Sequence, residues 1–201
     1  RDPEMSRGLG DVYKRQMRAS SKVNDDCMAE FEALVRPGIT EKEMAEAIRG
    51  IYAAHGCSGV SFPPICGFGA HAADPHHDND DTPLEAGQCV LIDVGGVYQD
   101  YCSDMTRTFF TGEPSEEERK VYELVRQAQA AAEALVKPGV RLCDLDAAAR
   151  DLITEAGYGP YFNHRLGHFI GLEDHEAGDV SAVNENVVTP VSYTHLTLPT
   201  T

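Results

Sequence analysis

Two segments of the chain repeat one another, and this internal repeat constrains the fold more than any other feature of the sequence. The segment LVRPGITEKEMAEAIRGIYAAHG (34–56) aligns without gaps with LVKPGVRLCDLDAAARDLITEAG (135–157), at an offset of 101 residues. Each copy connects the end of one helical pattern to a second helical pattern through Pro-Gly and closes on a glycine. The identical pairs are Leu34/Leu135, Val35/Val136, Pro37/Pro138, Gly38/Gly139, Ala47/Ala148, Arg49/Arg150 and Gly56/Gly157.

The repeat predicts two α-hairpin halves related by a pseudo-twofold axis. Any two helices that follow a Pro-Gly turn look partly alike, but identities at both ends of the alignment favour a true repeat. In such a fold the strands that follow each half meet across a sheet. We therefore expect the functional site to lie between the halves.

Hydrophobic spacing and capping residues predict four helices and two strands. Thr40 with Glu43, and Ser115 with Glu118, have the three-residue spacing of a capping box at a helix N-terminus. Segments rich in β-branched and aromatic residues predict paired strands. The predicted helices are about 20–35, 40–55, 115–137 and 143–156, and the predicted strands are 88–94 and 101–110.

The charge balance excludes some classes of function. The chain of 201 residues has 33 acidic and 17 basic residues, a formal net charge of −16. Because nucleic-acid affinity comes mainly from Lys and Arg on phosphates, we expect no nucleic-acid partner. No segment has the roughly 20 apolar residues of a membrane span, and no signal peptide is visible, so we expect a cytoplasmic protein without a membrane partner. The six cysteines form no Cys-x-x-Cys pair, which predicts reduced, mostly buried thiols.

The two ends differ in composition from the rest of the chain. Residues 1–16 mix Gly, Arg and Lys without helical periodicity, and residues 189–201 (TPVSYTHLTLPTT) carry no charge. Both resemble adaptor sequence translated in frame. We therefore expect non-native segments at 1–16 and 189–201 around a partial domain at 17–188, with a natural helix beginning at Met17 and a cut at the C-terminus.

Asp93 and Asp104 lie on the two predicted strands. A hairpin that turns around Tyr98–Tyr101, centred between residues 98 and 99, would place Asp93 opposite Asp104, with Cβ atoms about 4.5–5.5 Å apart. Two carboxylates at that distance repel unless one is protonated or a cation lies between them, and a divalent metal is the natural counterion. The alternative is that one Asp caps a turn while the other pairs with Arg107.

Histidines are concentrated in the segment HRLGHFIGLEDHE (164–176), which contains His164, His168 and His175 among glycines. Histidine is a common metal ligand and a common general acid or base, and glycine lets the backbone approach a ligand closely. His76 follows Pro75 in a second loop, rich in Pro and Gly, that suits the lining of a pocket. The alternative for either loop is a surface histidine without a function.

Together the strings PHH, VLIDVGG, SDMTRTF and HRLGHFIGLEDHE, in this order, resemble the pita-bread metallopeptidases, the group of methionine aminopeptidase, Xaa-Pro aminopeptidase and prolidase. The resemblance covers about 17–188 and points to the bacterial Xaa-Pro peptidase branch. It implies the α+β pita-bread (creatinase/aminopeptidase-like) fold, two pseudo-symmetric α/β halves around a curved antiparallel sheet, here incomplete at the C-terminus. It also implies a hydrolase that cleaves X–Pro bonds in proline-containing peptides.

The resemblance also implies roles for single residues. Asp93 matches an aspartate that chelates one metal, Asp104 an aspartate that bridges two metals, and His168 a ligand of the second metal. The histidines that match substrate-pocket and proton-handling positions are His76, His164 and His175. The implied cofactor is two divalent metal ions, with Mn²⁺ as the family expectation and Co²⁺, Zn²⁺ or Fe²⁺ as alternatives. Carboxylate-rich ligation suits a hard ion such as Mn²⁺.

The sequence also departs from the family pattern. The family completes its site with two glutamates beyond the point where this chain runs into TPVSYTHL, so we expect the chain alone to bind metal weakly and to be nearly inactive. Asp174 and Phe169 stand where an apolar residue and a glycine are common. For the full-length protein a homodimer is a further expectation. Two alternatives stay open, a methionine aminopeptidase and, from another class, a non-catalytic binding module on the same fold.

Overall fold

A pair of helices followed by a run of strands occurs twice along the chain in the computed structural model, which describes residues 3–189 and 196–197. The helices are α1 (Pro3–Leu34), α2 (Glu41–Ala54), α3 (Glu116–Leu135) and α4 (Leu142–Glu155), with 3-10 turns at Gly69–Ala73 and Gly159–Tyr161. The strands are β1 (Gly59–Val60), β2 (Ile65–Phe68), β3 (Cys89–Val94), β4 (Gly96–Tyr98), β5 (Tyr101–Cys102), β6 (Met105–Phe110), β7 (Gly167–Phe169), β8 (Glu176–Val180) and β9 (Leu196–Thr197).

The chain divides into two compact units. Unit 1 contains the described residues up to Ser115 together with Leu172–Asp174, and unit 2 contains Glu116–Gly171 and the described residues from His175 onward. Each unit has its own apolar core, because each pairs one face of its helices with strands. Fully buried members are Phe31, Ile48 and Ile92 in unit 1, and Leu145 and Val180 in unit 2.

The helix predictions are confirmed except at the start of α1. Thr40 caps α2 as predicted, since its hydroxyl accepts the Glu43 N–H while the Glu43 carboxylate accepts the Thr40 N–H. The expectation that the first helix begins at Met17 is wrong, because α1 begins at Pro3. Proline is tolerated in a first turn, and a helix already nucleated extends at little cost. The adaptor origin of residues 1–16 stays a prediction.

The strands form three antiparallel sheets within the described part of the chain. Their orders are β1-β4-β5, β2-β3-β6 and β8-β7-β9. The first two sheets lie in unit 1 and the third in unit 2. Antiparallel pairing agrees with the sheet type that the resemblance implied.

The register of β3 and β6 corrects one prediction. Asp93 lies opposite Thr106, not opposite Asp104. The hairpin turns between Tyr98 and Tyr101 as predicted, but these two residues pair with each other and the turn is centred between Gln99 and Asp100, one residue later than predicted. Asp104 is two residues before Thr106, the residue that faces Asp93. Residues two apart are on the same side of a strand, so Asp104 is a diagonal neighbour of Asp93.

The repeat predicted from the sequence is confirmed in the backbone of each unit. Gly38 has a φ of 96° and donates its N–H to the Leu84 carbonyl at 2.8 Å. Gly139 has a φ of 92° and donates to the Val188 carbonyl, also at 2.8 Å. The return bonds run from Leu84 to Ile39 and from Val188 to Val140. Each half is therefore a Pro-Gly turn and helix tied to a downstream segment.

Two further predictions concern membranes and thiols. Among the described residues, no helix combines the length and the apolar character needed to cross a bilayer. All six cysteines are free, which confirms the prediction of reduced thiols. Three of the six are buried, a smaller share than expected: Cys27, Cys66 and Cys102.

Candidate metal and catalytic site

Asp93 is a half-buried carboxylate on β3, the middle strand of its sheet. The hydroxyl of Thr106, directly across the ladder on β6, donates to Asp93 Oδ1 at 2.8 Å. A carboxylate with one oxygen fixed by a neighbouring hydroxyl is oriented in the way that metal-binding carboxylates commonly are. Asp93 therefore has the chemistry and the support of an oriented metal ligand.

Asp104 lies between β5 and β6, immediately after a segment that is held by buried polar groups. The Gly96 N–H donates to Ser103 Oγ at 3.1 Å, and Tyr52 donates its hydroxyl to Asn24 Oδ1, 3.1 Å from the same Ser103 oxygen. A Cβ on Gly95 would come within 1.8 Å of the Ser103 carbonyl oxygen. Residue 95 must therefore be glycine, because its backbone lies directly against that of Ser103, the residue before Asp104.

Asp93 and Asp104 both affect the pKa of one buried side chain, Tyr52. Burial raises the pKa of Tyr52 far above its ordinary value, and the charges of nearby thiols, Asp104 and Asp93 raise it further. The register shows where the two carboxylates lie: Val94, next to Asp93, is opposite Met105, which is next to Asp104. Asp93 and Asp104 are therefore diagonal neighbours and not the directly opposed pair that we predicted.

His76 lies on an exposed part of the loop that follows the 3-10 turn at Gly69–Ala73. Its backbone N–H donates to Asp74 Oδ1 at 2.9 Å, which closes a tight turn around Pro75. The next residue, His77, is only 12% exposed and is directed inward. The loop is therefore fixed through His77 while His76 stays accessible.

The inward contact of this loop is a cluster of three side chains that the sequence analysis did not single out. Glu41, at the start of α2, is fully buried and accepts hydrogen bonds from His71 Nδ1 at 2.8 Å and His77 Nε2 at 2.6 Å. Its carboxylate also accepts the backbone N–H of Phe68 and of Asp80, each at 3.1 Å. We call Glu41, His71 and His77 the Glu41 cluster.

The Glu41 cluster has the composition of a metal site but the distances of hydrogen bonds. One ligand atom from each residue lies within 4.8 Å of the others, which is close enough for one ion. However, separations of 2.6 and 2.8 Å are those of charge-assisted N–H···O bonds, and both carboxylate oxygens already accept backbone donors. The hydrogen bond to Glu41 also raises the pKa of His71, which favours a protonated donor. The cluster is therefore an anchor for the loop.

His168 is a half-buried residue on β7. Its Nδ1 lies 3.1 Å from the Phe169 carbonyl oxygen, which can only accept, so Nδ1 carries the proton and Nε2 the lone pair. The ring of His175 stacks on it, with centroids 4.0 Å apart and planes at 28°. Unit 2 thus brings together two of the three predicted histidines of this segment.

His164 is exposed and lies after the 3-10 turn at Gly159–Tyr161. Its Nδ1 donates to the Arg165 carbonyl at 2.9 Å, so its Nε2 can also accept a proton. The backbone carbonyl of His164 accepts a bond from Arg150 at 2.9 Å. Arg150 is in turn held by the fully buried Asp146.

Glu41 and Asp146 are not among the residues predicted from the sequence, although the repeat carries a signal for both. The repeat counterpart of Glu41 is Leu142, and the counterpart of Asp146 is Ala45. A charged residue at a position where the other copy is apolar indicates a buried polar role, because the two helices present the same face to their cores.

The donor set of the predicted ligands fits a divalent cation. Asp93 and Asp104 supply carboxylate oxygens, and His168 supplies an imidazole nitrogen of defined tautomer. Mixed carboxylate and imidazole ligation suits first-row divalent ions. Each of these donor types can bind such an ion, while the remaining histidines can accept or donate protons.

Comparison with known proteins agrees with this chemistry. The family described as Metallopeptidase family M24 matches residues 15–195. An uncharacterized peptidase of Staphylococcus aureus (strain MSSA476) is 41% identical over 173 residues, which are 86% of this chain and 49% of the relative. The chain therefore spans about half the length of the curated relatives it matches.

Solved structures of similar sequence have the same fold. The X-Pro aminopeptidase of Thermotoga maritima MSB8 is 36% identical with a TM-score of 0.86, over 89% of this chain and 51% of that chain. The prolidase of Pyrococcus furiosus is 35% identical with a TM-score of 0.86, over 89% and 53%. The dipeptidase PepE of Mycobacterium ulcerans is 40% identical with a TM-score of 0.85, over 89% and 48%.

Proposed function

The chain belongs to metallopeptidase family M24, and from this premise we propose that the protein hydrolyses X–Pro peptide bonds with two divalent metal ions. Its α+β pita-bread fold is the one predicted, as its likeness to solved members shows. Hydrolase chemistry follows from the family. The bond specificity is proposed because the similar structures include an X-Pro aminopeptidase and a prolidase.

We assign Asp93, Asp104 and His168 as metal ligands. The observation that carries this assignment is the strand register, which makes Asp93 and Asp104 diagonal neighbours, with one oxygen of Asp93 accepting from the Thr106 hydroxyl at 2.8 Å. Two divalent ions, when bound, supply an activated water and stabilise the oxyanion of the attacked peptide bond. We propose Mn²⁺ because the ligands are rich in carboxylates.

The protein side chains have separate tasks in this proposal. Thr106 donates to one oxygen of the Asp93 carboxylate, and the Phe169 carbonyl favours the tautomer of His168 whose Nε2 has the lone pair that a metal would need. Because two metals need more donor atoms than these three residues supply, we expect the 201-residue chain alone to bind metal weakly and turn over little substrate.

We assign the exposed His76, His164 and His175 to substrate binding and proton transfer. The Nδ1–H of His164 is engaged by a carbonyl, which leaves Nε2 as the atom that accepts or returns a proton. His175 stacks on His168 at 4.0 Å, so its ring orientation is tied to that of a proposed ligand. Such a residue affects turnover more than metal binding.

The test uses the complete reading frame that contains this sequence, expressed and loaded with Mn²⁺. We expect hydrolysis of an X-Pro dipeptide or tripeptide, loss of hydrolysis with a chelator, and recovery with Mn²⁺. A matched X-Ala peptide serves as the control for bond specificity. Faster cleavage of Met-Gly peptides would replace the proposal with a methionine aminopeptidase. Metal-dependent peptide binding without cleavage would replace it with a binding module.

A further inference from the structure

One arginine in unit 2 connects a helix to the backbone of a proposed catalytic histidine. Arg150 on α4 donates Nε and Nη2 to the two oxygens of Asp146, one turn earlier, at 2.7 and 2.9 Å. The Asp146 side chain is fully buried and that of Arg150 is 29% exposed. A bidentate pair of this kind fixes the plane of the guanidinium.

Two further donors of Arg150 are used outside the helix. Nη1 donates to the Phe162 carbonyl at 2.8 Å, and Nη2 donates to the His164 carbonyl at 2.9 Å. The guanidinium also lies over the Phe162 ring, 4.4 Å from its centroid. One planar group thus determines the position of two carbonyls and one ring in the segment that carries His164.

We propose that Arg150, oriented by Asp146, is a positioning residue that fixes the backbone of His164 for catalysis. The proposal rests on the role assigned to His164 under the proposed function. Arg150 donates to the main-chain carbonyl of His164, so Arg150 acts through the placement of the His164 backbone.

The other half of the repeat shows that the helix itself does not need this pair. The counterpart of Arg150 is Arg49, whose side chain is 41% exposed and lies 3.9 Å from Glu46 at the surface. The counterpart of Asp146 is Ala45, which is buried in the core of unit 1. The same hairpin therefore forms with alanine at this position, and the pair serves the His164 segment.

Lysine cannot replace Arg150 in this geometry. Four N–H groups of one guanidinium are engaged in fixed directions, whereas an ammonium offers three donors on a flexible stem. Arg150→Lys should therefore keep the charge that Asp146 requires and still release the two carbonyls. The Arg150→Lys variant therefore tests the positioning role of Arg150 separately from its compensation of the Asp146 charge.

The first test measures hydrogen exchange in peptides covering 159–169 of the 201-residue chain. We expect exchange at least tenfold faster in Arg150→Lys than in wild type, with Arg49→Lys as the matched control at the repeat position. The double variant Asp146→Ala/Arg150→Met removes both charges and covers the case in which a single variant fails to fold. Unchanged exchange in both folded variants would overturn the proposal.

The second test measures peptide hydrolysis by the complete protein. We expect Arg150→Lys to lower kcat at least tenfold with KM within about twofold of wild type, and Arg49→Lys to change neither. Added guanidinium should restore part of the kcat of Arg150→Ala, a result that general destabilisation cannot give. Faster exchange without any loss of kcat would overturn the positioning role. A wild-type protein without X–Pro hydrolysis would contradict the proposed function, and the exchange test would still decide whether Arg150 fixes the segment.

Discussion

The two halves of the repeat share a backbone but differ in how they hold their histidine loops. Both have a Pro-Gly turn with a positive-φ glycine and the same 2.8 Å bonds to a downstream segment. In unit 1 the buried carboxylate is Glu41, which contacts histidine rings directly. In unit 2 it is Asp146, which acts through Arg150 on backbone carbonyls.

Different residues therefore form the hairpin and anchor the histidine loop. The apolar positions of the repeat build the hairpin in both units, so neither acid is needed for the hairpin to form. Each acid stands where the other half has an apolar residue, Leu142 or Ala45. The halves therefore differ at the positions that hold the loops bearing His76 and His164.

Exchanging Glu41 for its counterpart should have the largest effect. Glu41→Leu leaves the Phe68 and Asp80 N–H groups and two histidines without their acceptor, and we expect a loss of about 3–5 kcal/mol of unfolding free energy. Urea denaturation measures this loss. The control is Glu46→Leu, whose side chain is 83% exposed and which should change stability little. A cost equal to that of the control would contradict the anchor role of Glu41.

The reciprocal exchange, Asp146→Ala, should cost less, about 2–3 kcal/mol. Arg150 loses its carboxylate but is partly exposed to water and keeps the Phe162 and His164 carbonyls as acceptors. The same denaturation experiment gives the value. If Asp146→Ala costs more than Glu41→Leu, the ranking of the two anchors is wrong.

The turn glycines should behave alike in the two halves. Gly38→Ala and Gly139→Ala each place a Cβ at positive φ, and neither Cβ would meet another atom within 4 Å. We therefore expect a cost of about 1 kcal/mol for each, from backbone strain alone. Costs that differ by much more than the error of denaturation would show that the two turns are not equivalent.

The anchors should also differ in their response to pH. The hydrogen bond to Glu41 raises the pKa of His71 above its ordinary 6.5 in the folded state. Its stabilisation is therefore complete below the unfolded pKa and is lost as pH rises through the higher folded value. We expect the difference in stability between wild type and His71→Gln to shrink between pH 6 and pH 9. A difference that grows with pH would contradict the sign. Arg150 keeps its charge over this range, so the Asp146–Arg150 pair should not respond.

The sequence predicted local features better than tertiary ones. The capping box of Thr40 and Glu43, the strand at 88–94 and the repeat depend on neighbouring residues and are confirmed. The register of Asp93 depended on a turn at Gln99–Asp100 that contains no glycine to mark it. A two-residue error in pairing followed from a one-residue error in the turn.

The buried acids could not be predicted from local rules. Glu41 in a first helical turn is typical of an exposed residue that complements the helix dipole. Its burial depends on donors about 30 to 40 residues away in sequence, such as His71 and Asp80. The sequence signal for its burial is the difference between the repeat copies, in which Glu41 aligns with the apolar Leu142.

Elemental analysis of the complete protein and two variants, after loading with Mn²⁺, tests the proposed metal site most directly. We expect two metal ions per wild-type chain and none in Asp104→Ala, because the resemblance to the family implies that Asp104 is a ligand of both ions. His175→Ala should keep both ions and lose turnover. Two bound ions retained in Asp104→Ala would contradict the assignment of this site.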